Sequence, residues 1–174
     1  MSVKKKRVGF IIGILVVIGM VWIYMLGKTV HPILSTKLRV KEDILSMVEA
    51  ENENRVIHLV KTKNSLIHID YEKVNPFMYQ YSNGAGSTYL RDIMIRYCYA
   101  SPDDDCFIYG FCSDTDIKTI VFTFPDETEL QVMPNEEGIF LQRSKYEPLD
   151  AKQILGYTDT GETVDILEYI LNVY

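Results

Sequence analysis

The chain has 174 residues, with 24 Asp and Glu against 18 Lys and Arg, and three cysteines. Four of the basic residues precede Val8 and none of the acids does, so residues 28–174 carry 14 basic and 24 acidic groups, a balance of −10. That balance argues against nucleic acid as a partner, because neutralising phosphates needs basic groups, and about 147 residues make one domain with an adequate core.

Val8 to Gly27 is a run of 20 residues without a charge. As a helix rising 1.5 Å per residue it reaches about 30 Å, the thickness of a bilayer's hydrocarbon core. Lys4, Lys5, Lys6 and Arg7 stand before it, and positive charge beside such a segment tends to stay in the cytoplasm. The run is longer than the core of a signal peptide, and Gly27-Lys28-Thr29 is a poor cleavage site. Gly9-Phe10 resembles a prepilin processing site, but Ile14 occupies the position where those chains usually carry glutamate. The expectation is a single-pass cell-membrane protein. It would have a cytoplasmic tail at 1–7, a transmembrane helix at 8–27 as its membrane partner segment, a juncture at 28–37 and an extracytoplasmic β-rich domain over 38–174.

Pro32 should interrupt helix in the juncture. Leu38, Ile44, Leu45 and Val48 lie at roughly helical spacing among charges, which predicts one amphipathic helix ending near Asn52. The period then falls toward two, and "RVIHLVK" and "SLIHIDY" flank Thr62-Lys63-Asn64 as a hairpin with a three-residue loop. "SNGAGST" reads as a loop with Ser87 or Thr88 as a helix cap, since it lacks both a third glycine and the lysine of a phosphate cradle. Residues 87–99 fit helix and strand equally well.

Four apolar runs follow: "CFIYGFCS", "IKTIVFTF", "ETELQVM" and "GIFLQR", separated by "DTD", "PD" and "PNEE". They predict an antiparallel meander. "QILGYT" and "ETVDI" bracket Asp159-Thr160-Gly161, and "DILEYILNVY" predicts a short terminal helix. The fold class expected is therefore α+β, mostly antiparallel β and meander-like, behind one transmembrane helix. With its Lys-rich start, "FIYGFCSDTDIKTIVFTFPDETELQV" and "ILGYTDTGETV", the chain resembles small single-pass surface-anchored proteins of unassigned function in Gram-positive bacteria. The resemblance implies an envelope location and a β-rich ectodomain, and it carries over no site residues.

Three constellations bear on chemistry. Asp159-Thr160-Gly161 matches the aspartic-protease triplet, whose paired carboxylates share a proton. Here Tyr157-Thr158 precede it and Glu162 follows, so hairpin-turn chemistry accounts for it better. If the first hairpin is symmetric about Lys63, His58 lies opposite His68, Ile57 opposite Ile69 and Leu59 opposite Ile67, with Asp70 on the histidine face. His58, His68 and Asp70 are then a candidate zinc or copper site; otherwise the histidines only occupy the wet face. Cys98 and Cys106 flank a loop holding Pro102 and Asp103 to Asp105, and they are a candidate disulfide, against the reading of three buried thiols. The aspartates suggest calcium but lack EF-hand spacing.

Seven of the 12 tyrosines lie between Tyr71 and Tyr109, a pattern that strand packing explains without a ligand. No G-x-S-x-G, H-E-x-x-H or C-x-x-C is present. The functional expectation is a non-enzymatic binding or interaction module in the cell envelope, for a protein or cell-wall partner. The alternative is a small extracytoplasmic hydrolase or metal-dependent enzyme.

Overall fold

The computed structural model describes residues 3–89, 92–99 and 106–166, and the side chains among these except those of residues 3–8, 25, 83–89, 98 and 99. The expected Asp103 to Asp105 loop and most of the expected terminal helix lie outside the described residues. Helix α1 spans Val3–Met25, and helix α2 spans Pro32–Arg39. A five-stranded sheet contains β1 (Lys28–Thr29), β2 (Ser46–Glu51), β3 (Arg55–Lys61), β4 (Ser65–Asn75) and β5 (Met78–Tyr89), in the order β1-β5-β4-β3-β2. A three-stranded sheet has the order β10-β7-β6, with β6 at Ile93–Tyr99, β7 at Cys106–Cys112 and β10 at Ile139–Ser144. The third has the order β12-β11-β8-β9, built from β8 (Ile117–Thr123), β9 (Glu129–Val132), β11 (Gln153–Thr158) and β12 (Thr163–Asp165). Every pairing is antiparallel.

The sheets stack with the three-stranded one in the middle. All seven residues of β7 are buried, and their alternation divides them between two cores. Tyr109 and Phe111 join Leu59, Leu66, Met94 and Ile139 on the side of the five-stranded sheet, where Phe107 also meets Ile57. Cys106, Ile108 and Cys112 join Ile120, Phe122, Phe140 and Ile154 on the other. A strand covered on both faces reads as a continuous apolar run rather than an alternating one, which is what "CFIYGFC" is. The five-stranded sheet is likewise covered twice, because α2 lies across its outer face near Val56, Ile69 and Tyr71.

Several expectations are corrected. Among the described residues no helix is long and apolar enough to cross a membrane. The transmembrane helix at 8–27, and the single-pass topology and extracytoplasmic location inferred from it, therefore do not stand, and the fold is a mostly antiparallel β structure. Pro32 opens a helix instead of interrupting one, because proline is tolerated in a first turn whose N–H groups have no intrahelical partner. The amphipathic helix expected to end near Asn52 is replaced by α2 and β2. "SNGAGST" belongs to β5, and residues 93–99 are strand β6.

The apolar runs after Cys106 are strands, but they form no meander. β10 returns to pair with β7, while β8 and β9 pair in a different sheet. At Asp159-Thr160-Gly161 the turn is as expected: Gly161 has φ 83°, its N–H donates to the Thr158 carbonyl at 3.0 Å, and β11 and β12 pair across it.

Candidate functional site

The polar groups of β3 and β4 divide between two faces because the hairpin register differs by one residue from the symmetric one. Thr62 donates its N–H to the Ser65 carbonyl at 2.9 Å, so Lys61 pairs with Leu66, Leu59 with His68, His58 with Ile69 and Ile57 with Asp70. A one-residue slip moves every side chain to the other face. His58 therefore points to the outer face and His68 and Asp70 to the inner one, so the three candidate metal ligands do not converge. Among the described residues no group of three or more His, Cys, Asp or Glu is placed to hold a metal ion.

Under α2 the outer-face cluster is a hydrogen-bonded chain. Tyr71 Oη lies 2.9 Å from Thr36 Oγ1, Thr36 Oγ1 lies 2.6 Å from His58 Nδ1, and His58 Nε2 lies 2.7 Å from Glu49 Oε2. Glu49 stands directly across from His58 in the β2–β3 ladder, which puts the two on one face. Thr36, His58 and Tyr71 are each 0% exposed. Burial lowers the His58 pKa from its usual 6.5, against the pull of Glu49.

Between the sheets, Arg55 Nη1 donates to Asp70 Oδ2 at 2.5 Å. His68 stacks on Tyr109 with centroids 5.1 Å apart and planes within 14°. Among the described residues, Asp70 Oδ1 and Arg96 Nε are buried without a hydrogen-bond partner. Burial raises the Asp70 carboxyl, and the Arg55 guanidinium pulls it back down. Burial, with Arg55 nearby, lowers His68 to about 4.

Those directions predict an acid-labile fold. The unfolded chain protonates His68 near 6.5 and the folded chain only near 4, so its share of stability is complete above pH 6.5. It is lost as pH falls to 4, by up to about 3 kcal/mol at 1.36 kcal/mol per unit. His58 acts with the same sign. Asp70 acts with the opposite one, its share being lost as pH rises above 3.8. Urea unfolding from pH 7 to 4 should show the decline, and His68→Phe should flatten most of it. An unchanged slope in that variant refutes the assignment.

The outer chain has the hydroxyl, imidazole, carboxylate order of an acyl-transfer site. Yet Thr36 and His58 are enclosed, so no acyl carbon can reach the hydroxyl. A separate cleft of about 230 Å³ is lined by Cys112, Asp114, Ile117, Lys118 and Asn135 among others. Its thiol lies 3.6 Å from the Asp114 carbonyl and is pushed up by burial, which leaves it protonated and a poor nucleophile. The expected cysteine bridge is placed only by backbone register. Cys98 pairs with Phe107 and Tyr99 with Cys106, so the two cysteines occupy successive rungs rather than facing each other. Cys106 Sγ donates to the Tyr146 carbonyl at 2.9 Å. Tyr79 and Tyr81 pack beside Tyr71, with Tyr71 and Tyr81 edge to face at 6.1 Å.

Thr36, Glu49 and Arg55 escaped the sequence reading. Glu49 was accessible to it, because taking residues 46–51 as a strand beside β3 would have set Glu49 against His58. Thr36 had no signal, since nothing local says that a helix will bury its hydroxyls. No protein-family model matches the chain, and neither does any curated protein or any solved structure.

Proposed function

We propose that this protein is a non-enzymatic binding module that engages a partner protein through the outward face of α2. The observation that carries this reading is the inverted polarity of the helix. α2 buries Ser35 and Thr36, at 4% and 0% exposed, and turns Ile33, Leu34 and Leu38 outward at 46%, 56% and 63%, with Val30 beside them at 55%. A helix on a sheet normally does the reverse, since burying leucine is favourable and burying a hydroxyl is not. Clustered exposed apolar side chains of this kind are a recurring mark of an interaction surface.

Charge narrows the partner. Lys28, Lys37, Arg39 and Lys41 fall within residues 28–41, which contain no Asp or Glu, in a domain that is otherwise strongly acidic. An apolar surface edged with carboxylates would complement them. The enclosed hydroxyl of Thr36 weighs against the hydrolase alternative.

Placing a photo-crosslinking residue at position 34 of the full chain should yield a discrete protein adduct in cells, and one at Asp159, on the β11–β12 turn, should not. Adding Leu38→Asp should cut the yield from position 34 at least about tenfold, as expected for losing a buried leucine and creating like-charge repulsion. No adduct from position 34, equal adducts from both positions, or retention by wall polysaccharide in place of a protein adduct would each overturn the proposal.

A further inference from the structure

We infer that the Tyr71, Thr36, His58 and Glu49 chain is a proton-controlled latch that holds α2 against the sheet and lets it go when His58 takes up a second proton. Little else fastens the helix. α2 has eight residues and no side-chain cap at its N-terminus, and isolated helices of that length are not stable in water. Its leucines face outward, so it gains little from apolar burial. Its deepest contact with β3 and β4 is the Thr36 hydroxyl.

The direction of every proton in the chain follows from the acceptors. A Glu49 carboxylate only accepts, so His58 Nε2 carries the hydrogen and donates to it. In the neutral ring Nδ1 then accepts, and Thr36 must donate to it. With its proton committed, Thr36 Oγ1 accepts from Tyr71. Each buried group is satisfied, and the tautomer is set by its neighbours.

A proton arriving at Nδ1 turns that acceptor into a donor. Thr36 can still accept from it, but the threonine's own hydrogen must then turn from the ring toward Tyr71 Oη, its other hydrogen-bond partner. Tyr71 must turn its hydrogen away from Thr36, its hydroxyl partner. One buried hydroxyl proton is left without an acceptor, which is costly in a site where Thr36, His58 and Tyr71 are all enclosed. Lifting α2 lets water solvate all three groups.

Other charged and titratable groups on this face do not replace the device. On β2, Glu51 is paired with Lys73 of β4 at 3.5 Å. On α2, Arg39 lies 4.0 Å over the Tyr81 ring of β5 and donates to Ser35 at 3.2 Å, while Lys37 is exposed. Tyr79 of β5 packs with the apolar cluster. Among the described residues Glu49 is the carboxylate hydrogen-bonded to the ring, and it favours the protonated form that the hydroxyl side resists.

The latch rests on the proposed function only for its use, by controlling whether the outward face of α2 is held in place. Its test needs no partner, so either reading can fail alone. Hydrogen exchange of the full chain, corrected for intrinsic rates, is followed in the segment 33–40 between pH 7 and pH 5. A released His58 titrates near its usual 6.5, so the opening constant of that segment should rise about tenfold or more over this range, and at both pH values residues 56–60, which open only with the whole fold, should stay far better protected than the segment. His58→Gln should abolish the rise, and Thr36→Val, which keeps the helix volume, should give a segment equally open at both pH values. The inference is overturned if the wild-type segment shows no rise, if residues 56–60 are no better protected than the segment at pH 5, or if the rise persists in either variant.

Discussion

A Gly110→Ala chain should lose at least about 3 kcal/mol of unfolding free energy, the upper range for overpacking. Gly110 lies at the middle of β7, between Ile95 on one side and Phe140 on the other. A Cβ there would stand 2.1 Å from the Met94 carbonyl oxygen and 2.5 Å from the tip of the Phe140 ring. The ring can swing aside, but the carbonyl belongs to β6 and cannot retreat without breaking its ladder. Since β7 is buried on both faces, the displacement would spread into both cores. Gly156→Ala is the control. The three atoms nearest its Cβ would be methyl groups of Ile117 and Ile166, at 3.0 to 3.2 Å, with no backbone atom among them, and it should cost at least about 1 kcal/mol less than Gly110→Ala. Urea unfolding followed by far-ultraviolet circular dichroism compares them, and equal losses would remove the claim that β7 admits no side chain at this point.

Arg55→Met should cost about 3 kcal/mol, the low end for breaking a buried ion pair, because the Arg55 side chain retains 23% exposure while that of Asp70 has only 5%. One Asp70 oxygen already lacks a partner, so removing the guanidinium leaves the carboxylate with none of its present ionic support. The variant should also change its pH response. A carboxyl with a still higher folded pKa is stabilising when protonated, and that share is lost as pH rises through the folded value. The variant should therefore lose more stability relative to wild type at pH 7 than at pH 4. Arg55→Met with Asp70→Leu should recover most of the loss, since an apolar pair of similar volume replaces the ions without leaving a buried charge. A double variant as unstable as the single one, or a single variant within 1 kcal/mol of wild type, would contradict this account.

Strands were legible where apolar residues crowd between turn signals. β3, β4, β7 and β8 are β-branched and aromatic runs bounded by Asn, Asp, Pro or Gly, and the Asp159-Thr160-Gly161 turn needed only local chemistry. The candidate site was less so. The residues His58, His68 and Asp70 are all in buried polar clusters, but grouping them depended on a register that "RVIHLVK" cannot specify. Five consecutive residues of β3 are buried, so there was no wet face against which to set the alternation.

What the amino-acid order determines by itself is therefore local: which stretches extend, where turns close, and an acidic domain with a basic segment at 28–41. Tertiary structure decided the rest. Leu38, Ile44, Leu45 and Val48 match a helix as well as any segment in the chain, yet residues 46–51 became β2 because pairing with β3 satisfies their backbone groups and places Glu49 beside His58. β10 passed over its neighbour in sequence to pair with β7, because the two cores it borders exist only once three sheets have stacked. Period and propensity act over a few residues, whereas the faces that β7, β10 and α2 cover belong to strands tens of residues away.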